Sequence, residues 1–178
     1  TPGSEVFFLR STDLLHVAEP GEATWETLPH GDIGLTAPGG DLRLGEEPHV
    51  LAVSDDLPGR LCSLWRTKIG RLDAAYSDDG GESWEQPFWL TYEGLPRSAG
   101  GIQEMKNPRG SITPYRMRRP SPAGGAEFVM LFYNNSHTER LGYAGRRIYW
   151  LTVGRDTADG AIRWSQPEIA LYWDGTGF

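Results

Sequence analysis

The sequence has a single cysteine, Cys62, in 178 residues. That excludes a framework of internal disulfides, and its place in a strand-like run reads as a buried thiol. No apolar run approaches the length that crosses a bilayer. No window keeps apolar residues at 3.6-residue spacing long enough to commit to a helix. Positive charge is scarce: 17 Lys and Arg against 24 Asp and Glu leave a net charge of −7. That balance argues against a nucleic-acid partner and against an anionic membrane surface. It leaves room for an anionic ligand at a locally basic site. Zinc-type spacing of His, Cys and Asp is missing, as are a Gly-rich phosphate loop and a Gly-x-Ser-x-Gly elbow. No metal and no cofactor is therefore expected. No signal peptide is seen, yet the sequence opens Thr1-Pro2-Gly3 without Met, which reads as a processed chain or a fragment.

What is abundant points to β-structure. There are 7 Trp, 7 Tyr, 23 Gly and 13 Pro, so turns and aromatics dominate over long charged runs. Strands are expected near residues 5–10, 14–17, 25–28, 49–53, 61–67, 71–76, 84–91, 111–117, 127–133, 148–153 and 164–173. Residues 30–45 and 93–110 read as connecting loops, and a long loop in a compact domain is often functional.

One stretch organises the rest: Ser77-Asp78-Asp79-Gly80-Gly81-Glu82-Ser83-Trp84. Asp and Gly between two strand-like runs predict a turn in which the Asp79 carboxylate accepts backbone N–H groups and Trp84 folds over it. Thr157, Asp159 and Trp164 repeat its offsets, with Ala161 in place of Gly81. Both copies run on alike, as Glu85-Gln86-Pro87 and Ser165-Gln166-Pro167. A third, worn copy ends at Trp25, with Gly21 at the place of Gly80 and Pro20 where the acid should be. Unequal repeats of one supersecondary unit predict a propeller or similar array.

The spacing Ser-x-Asp-x-Gly-x-x-Trp, carried by Ser77, Asp79, Gly81 and Trp84, resembles the Asp box (BNR repeat) of the sialidase (neuraminidase) superfamily. The resemblance extends to Glu46-Glu47-Pro48-His49-Val50-Leu51 and to Gly59-Arg60-Leu61 through Arg66-Thr67. It implies an all-β, sialidase-like β-propeller, six-bladed when complete. This chain would hold about three four-stranded blades, over 5–45, 46–95 and 104–175, in one partial domain, 1–178. The missing blades would come from the rest of a longer chain or from a second subunit, and a two-fold partner could close the ring.

The resemblance also implies an activity, a glycoside hydrolase acting on a sialic acid-like or other carboxylated sugar. Glu47 falls where the family's Glu assists a Tyr nucleophile, and Arg66 where an arginine of the carboxylate-binding triad stands. A guanidinium suits an anionic sugar because it binds carboxylate in a bidentate fork. The alternative is a structural ion pair between neighbouring strands. Arg146, with Arg147 as the second choice, resembles another triad position; otherwise the two are a solvated pair. Lys106 and Arg109 lead into an inner strand and could reach the same rim, as could Asn135 and His137, although a His in a polar turn is often only solvated. Glu168 reads as structural. Trp65, Trp89, Trp150 and Trp173 would suit sugar stacking, though most are expected in the core or packed on the Asp-box turns. The first triad arginine, the Asp acid/base and the Tyr nucleophile have no match in this sequence. Because Asp boxes also occur in carbohydrate-binding and protein-binding propellers, a non-catalytic propeller that binds carbohydrate or protein is the alternative function. A secreted or periplasmic location fits the family.

Overall fold

The computed structural model describes residues 4–38, 45–93, 103–117, 125–133 and 148–172. Every regular element there except one 3-10 turn, Pro20–Glu22, is a strand. Two strands, β1 (Phe8–Arg10) and β2 (Glu26–Leu28), form a small antiparallel sheet. The second sheet runs β3 (Gly45–Ala52), β4 (Leu61–Thr67), β5 (Leu72–Ser77) and β6 (Phe88–Trp89) in order. The third begins β7 (Ile112–Arg116), β8 (Glu127–Tyr133) and β9 (Ile148–Asp156). Its outer edge is shared by β10 (Ile162–Trp164) and β11 (Glu168–Tyr172), both paired to β9 and interrupted at Gln166-Pro167. A proline cannot donate to a ladder, so the edge strand breaks there.

The second and third sheets are four-stranded meanders, as expected of propeller blades. β4 and β5 alternate between two packed faces. Cys62, Leu64, Leu72, Ala74 and Tyr76 face the third sheet and meet Ile112, Phe128, Met130, Phe132 and Trp164. Trp65 and Ala75 face the first sheet and meet Val6, Leu35, Phe8 and Trp84. Both faces being covered, every residue of β5 is buried. Burial pushes the Cys62 thiol up to about 12, which keeps it protonated and inert.

Two expectations for the first unit need correction. Residues 14–17 form turns, not a strand, and Leu15 is 92% exposed. The apolar run misled because Asp13 and Ser11 organise a turn here: the His16 N–H donates to Asp13 O, and the Leu14 N–H to Ser11 Oγ. The worn copy also has its acid. Ser11 Oγ donates to Asp13 Oδ1 (2.8 Å), and Asp13 accepts the Thr24 N–H (3.0 Å) and Oγ1–H (2.6 Å). Ser77, Asp79 and Ser83 make the same three bonds at 2.8, 2.9 and 2.5 Å. Trp25 follows Thr24 as Trp84 follows Ser83, and Glu26 pairs with Arg10 as the Glu85 N–H bonds Tyr76 O. Asp13, rather than Pro20, is thus the matching acid, separated from Thr24 by an inserted excursion over residues 14–23. By this register β1 and β2 correspond to β5 and β6, the outer half of a blade.

The Thr157 turn is tighter. The Thr157 N–H donates to Ala161 O (2.9 Å), the Ala161 N–H reaches Thr157 Oγ1 (3.3 Å), and Asp159 accepts from Thr157 Oγ1. Arg163, at the place of Ser83, is already in the ladder opposite Arg155. Trp164 is buried against Gly154, where an added Cβ would lie 2.9 Å from the indole. The Trp84 indole instead donates to Gly81 O (3.1 Å) and stacks on Phe8 at 4.8 Å.

Candidate functional site

These three turns share one rim. Antiparallel order puts the start of β3, the end of β4, the start of β5 and the matching ends of β7, β8 and β9 on the other. The second rim carries the candidate site.

The way the chain enters each inner strand sets the geometry. The Gly45 N–H bonds Ser4 O (3.2 Å), and the Asn107 N–H bonds Gly70 O (2.9 Å), so these two positions correspond in successive sheets. Two residues later stand Glu47 and Arg109, with φ of 54° and 55°. They are the non-glycine residues of positive φ among the described residues. A left-handed conformation costs a side-chain-bearing residue about 1–2 kcal/mol, and such strain gathers at functional sites. In β3 it accompanies a bulge between Glu46 and His49. At Arg109 the buried Asn107 carboxamide holds the turn, accepting the Gly110 N–H (2.7 Å) and donating to Tyr133 O (3.2 Å).

These turns bring four charged side chains into one chain of contacts. Arg66 Nη2 donates to Glu47 Oε1 (2.6 Å), while Nη1 faces Glu46 Oε2 (3.2 Å) and bonds Arg109 O. Arg109 grips Glu46 as a fork, Nη2 to Oε1 at 2.7 Å and Nε to Oε2 at 3.0 Å. Lys68 Nζ lies 3.8 Å from Glu46 Oε1. The Arg109 fork holds the Glu46 carboxyl below its ordinary value against the opposing effect of burial, and the Arg66 and Lys68 charges add to it. Counted together, Glu46, Glu47, Arg66, Lys68 and Arg109 carry one excess positive charge. Glu46 and Arg66 are 16% and 13% exposed, whereas Glu47 and Arg109 are 53% and 45% exposed. The inner pair is fixed and the outer pair accessible. His49, half-buried beside Glu47, is pushed down by burial, against the opposing pull of the Glu47 charge.

The structure therefore brings Glu47, Arg66 and Arg109 together. Lys106 is exposed on a bridge opposite Arg71, beside the ion pair of Arg71 and Glu104 (3.1 Å). Asn135, His137, Arg146 and Arg147 lie outside the described residues, as does Trp173. Glu168 is exposed on β11 opposite Leu151. Trp65 is fully buried between sheets and offers no ring to a sugar, so of its two expected roles it has the core one. Trp89 carries the Arg71 guanidinium 5.2 Å from its ring centre. Glu46 and Lys68 join the site without having been expected from sequence. The adjacent acids Glu46-Glu47 were a signal for the first; the left-handed φ that separates their directions was not visible.

No family model matches this sequence, and no curated protein matches it. Solved structures do match. A NanB sialidase from Streptococcus pneumoniae in complex with a chlorobenzyl-ammonio-ethanesulfonate aligns over 87% of this chain, at a TM-score of 0.55 and 17% identity. A single-residue variant of NanB sialidase from the same organism aligns over 96%, at a TM-score of 0.60 and 18% identity. A further structure, of NanB with Optactamide, aligns over 88% at 0.56 and 17%. The chain spans about a fifth of each of those chains, 19–21% of their length. At such identity the likeness shows the fold: an all-β chain matching part of a sialidase-like β-propeller.

Proposed function

We propose that this chain is part of a sialidase-like glycoside hydrolase whose Glu47–Arg66–Glu46–Arg109 rim receives the carboxylate of an anionic sugar. The observation that carries this is the pair of left-handed residues, Glu47 and Arg109, meeting at one rim around Arg66. Strain at one place in successive repeats, on charged and accessible side chains, is better spent on a ligand than on packing. The likeness to NanB sialidase structures supports the setting. In this reading Arg66 and Arg109 bind the carboxylate through paired N–H groups. Glu47, freed from Arg66 by the incoming anion, orients the nucleophile of the retaining mechanism. The family's Tyr nucleophile is the known departure from a two-carboxylate scheme, and neither it nor the acid/base has a match here. Further blades, from the longer protein or from a second subunit, complete the ring.

The test is hydrolysis. Aryl glycosides of carboxylated sugars and of their neutral counterparts are offered to the full-length protein and to its Glu47→Gln form. Release from the carboxylated substrates alone, lost in the variant, is expected. Equal turnover of neutral substrates would overturn the proposal.

A specific observation favours the second reading, a non-catalytic propeller binding carbohydrate or protein. The Arg66 guanidinium already has two carboxylates and a carbonyl as partners. In that case the rim binds sugar without turnover, or holds the blades together and binds none.

A further inference from the structure

We propose that Glu26, His30 and Glu82 form a binding site for one divalent cation of the zinc type, on the opposite rim, where it joins the first sheet to the second. The donors come from distant parts of the chain: Glu26 on β2, His30 just past it, and Glu82 in the turn after β5. This is why no local spacing in the sequence announces the site. His30 Nε2 lies 3.0 Å from Glu82 Oε2 and 3.9 Å from Glu26 Oε2, and all three ligand atoms lie within 4.8 Å of one another. Bonds of about 2.0–2.2 Å to a tetrahedral zinc set its donors about 3.3–3.6 Å apart. A small rearrangement of exposed side chains, opening His30–Glu82 and drawing Glu26 in, would reach that spacing.

More than an acidic patch is present. Arg10 holds the other oxygen of each carboxylate: its Nε bonds Glu26 Oε1 (2.7 Å), its Nη2 bonds Glu82 Oε1, and its Nη1 reaches Gly80 O (3.2 Å). Both Oε2 atoms are left turned toward the imidazole. Ligating carboxylates are commonly oriented by such outer partners. Arg10 and the two carboxylates sum to one negative charge, which attracts a dication. One nitrogen and two oxygens suit zinc and its neighbours better than calcium or magnesium, which favour all-oxygen shells. Glu26, His30 and Glu82 are 38%, 61% and 43% exposed, so the ion can enter and water can fill the remaining position.

The test is calorimetric titration of zinc chloride into the chelator-treated full chain, and into Glu82→Gln and His30→Gln. One saturable site is expected, with affinity at least tenfold weaker in each variant and no saturable magnesium binding. No saturable zinc binding, or unchanged affinity in both variants, would overturn the proposal. A second readout needs no substitution: zinc should shift the side-chain 15N resonance of His30 Nε2 in the unaltered protein, and an unmoved resonance would equally overturn it.

Discussion

Asp73→Asn should remove a steep loss of stability with rising pH. Asp73 is fully buried on β5, between Trp65 on β4 and Trp89 on β6 in the ladder. Neither of its carboxyl oxygens has a hydrogen-bond partner. The Trp65 indole is near enough to favour the charged form slightly, yet outside hydrogen-bond geometry. Burial therefore wins and pushes the carboxyl up to about 8. In the unfolded chain an Asp titrates at about 3.9. Between these values the unfolded chain has lost the proton and the folded chain keeps it. Stability then falls by about 1.4 kcal/mol per pH unit as pH rises, and the fall ends above the folded value. Over the whole window this withdraws about 5–6 kcal/mol, a large share of a domain's typical 5–15 kcal/mol. Asn keeps the shape and cannot ionise. Urea unfolding followed by circular dichroism, from about pH 4.5 to about pH 8, should show the variant gaining on the parent steadily, by about 3.4 kcal/mol between about pH 4.5 and about pH 7. Taking the difference cancels the paired carboxylates, whose slopes have the opposite sign. Parallel curves for the two proteins would refute the reasoning.

Other expectations follow from single positions. Asp79 is held at about 2 by the Ser83 hydroxyl and N–H and the Ser77 hydroxyl. Its contribution is present above the unfolded value of about 4 and lost as pH falls through the folded one. Asp79→Asn should therefore flatten the acid limb of the stability curve; an acid-unfolding profile identical to the parent's would contradict this. Glu47→Gly removes an exposed ion pair worth about 0–1 kcal/mol and relieves left-handed strain of about 1–2 kcal/mol. Melting should hold within about 1 kcal/mol while hydrolysis of the carboxylated glycoside is lost, whereas a stability loss above about 2 kcal/mol would make the pair structural. Gly110→Ala would put a Cβ 2.5 Å from the Tyr133 ring. A cost of about 1–3 kcal/mol in thermal unfolding is expected for such overpacking, and a neutral result would mean that the turn before β7 yields easily.

The strands easiest to read were those whose faces have different jobs. Leu61–Thr67 and Glu127–Tyr133 stand where the sequence put them, because strong β-formers there pack against neighbouring sheets. Residues 14–17 were misread because apolar content was taken as burial, and Leu15 is out in solvent. The Asp13 turn was hidden by the excursion between Asp13 and Thr24, since a spacing rule fails when chain is inserted inside the motif. At the candidate site, the family resemblance singled out Glu47 and Arg66, and the ladder places them at neighbouring strand ends. Glu46 was missed because alternation sends adjacent residues to opposite faces; the bulge and the left-handed Glu47 bring both carboxylates to one guanidinium. The buried Asp73 left no trace in the pattern Leu72-Asp73-Ala74, where a polar residue reads as facing solvent.

The most direct test of the rim is a calorimetric titration of the protein, in its complete assembly, with a carboxylated sugar and with its methyl ester. N-acetylneuraminic acid serves as the probe, and Arg66→Ala is measured beside the parent. The acid is expected to bind, the ester to bind at least tenfold more weakly, and Arg66→Ala to lose the preference while keeping most of its thermal stability. Equal binding of acid and ester, or an Arg66→Ala protein whose stability collapses along with its affinity, would contradict it.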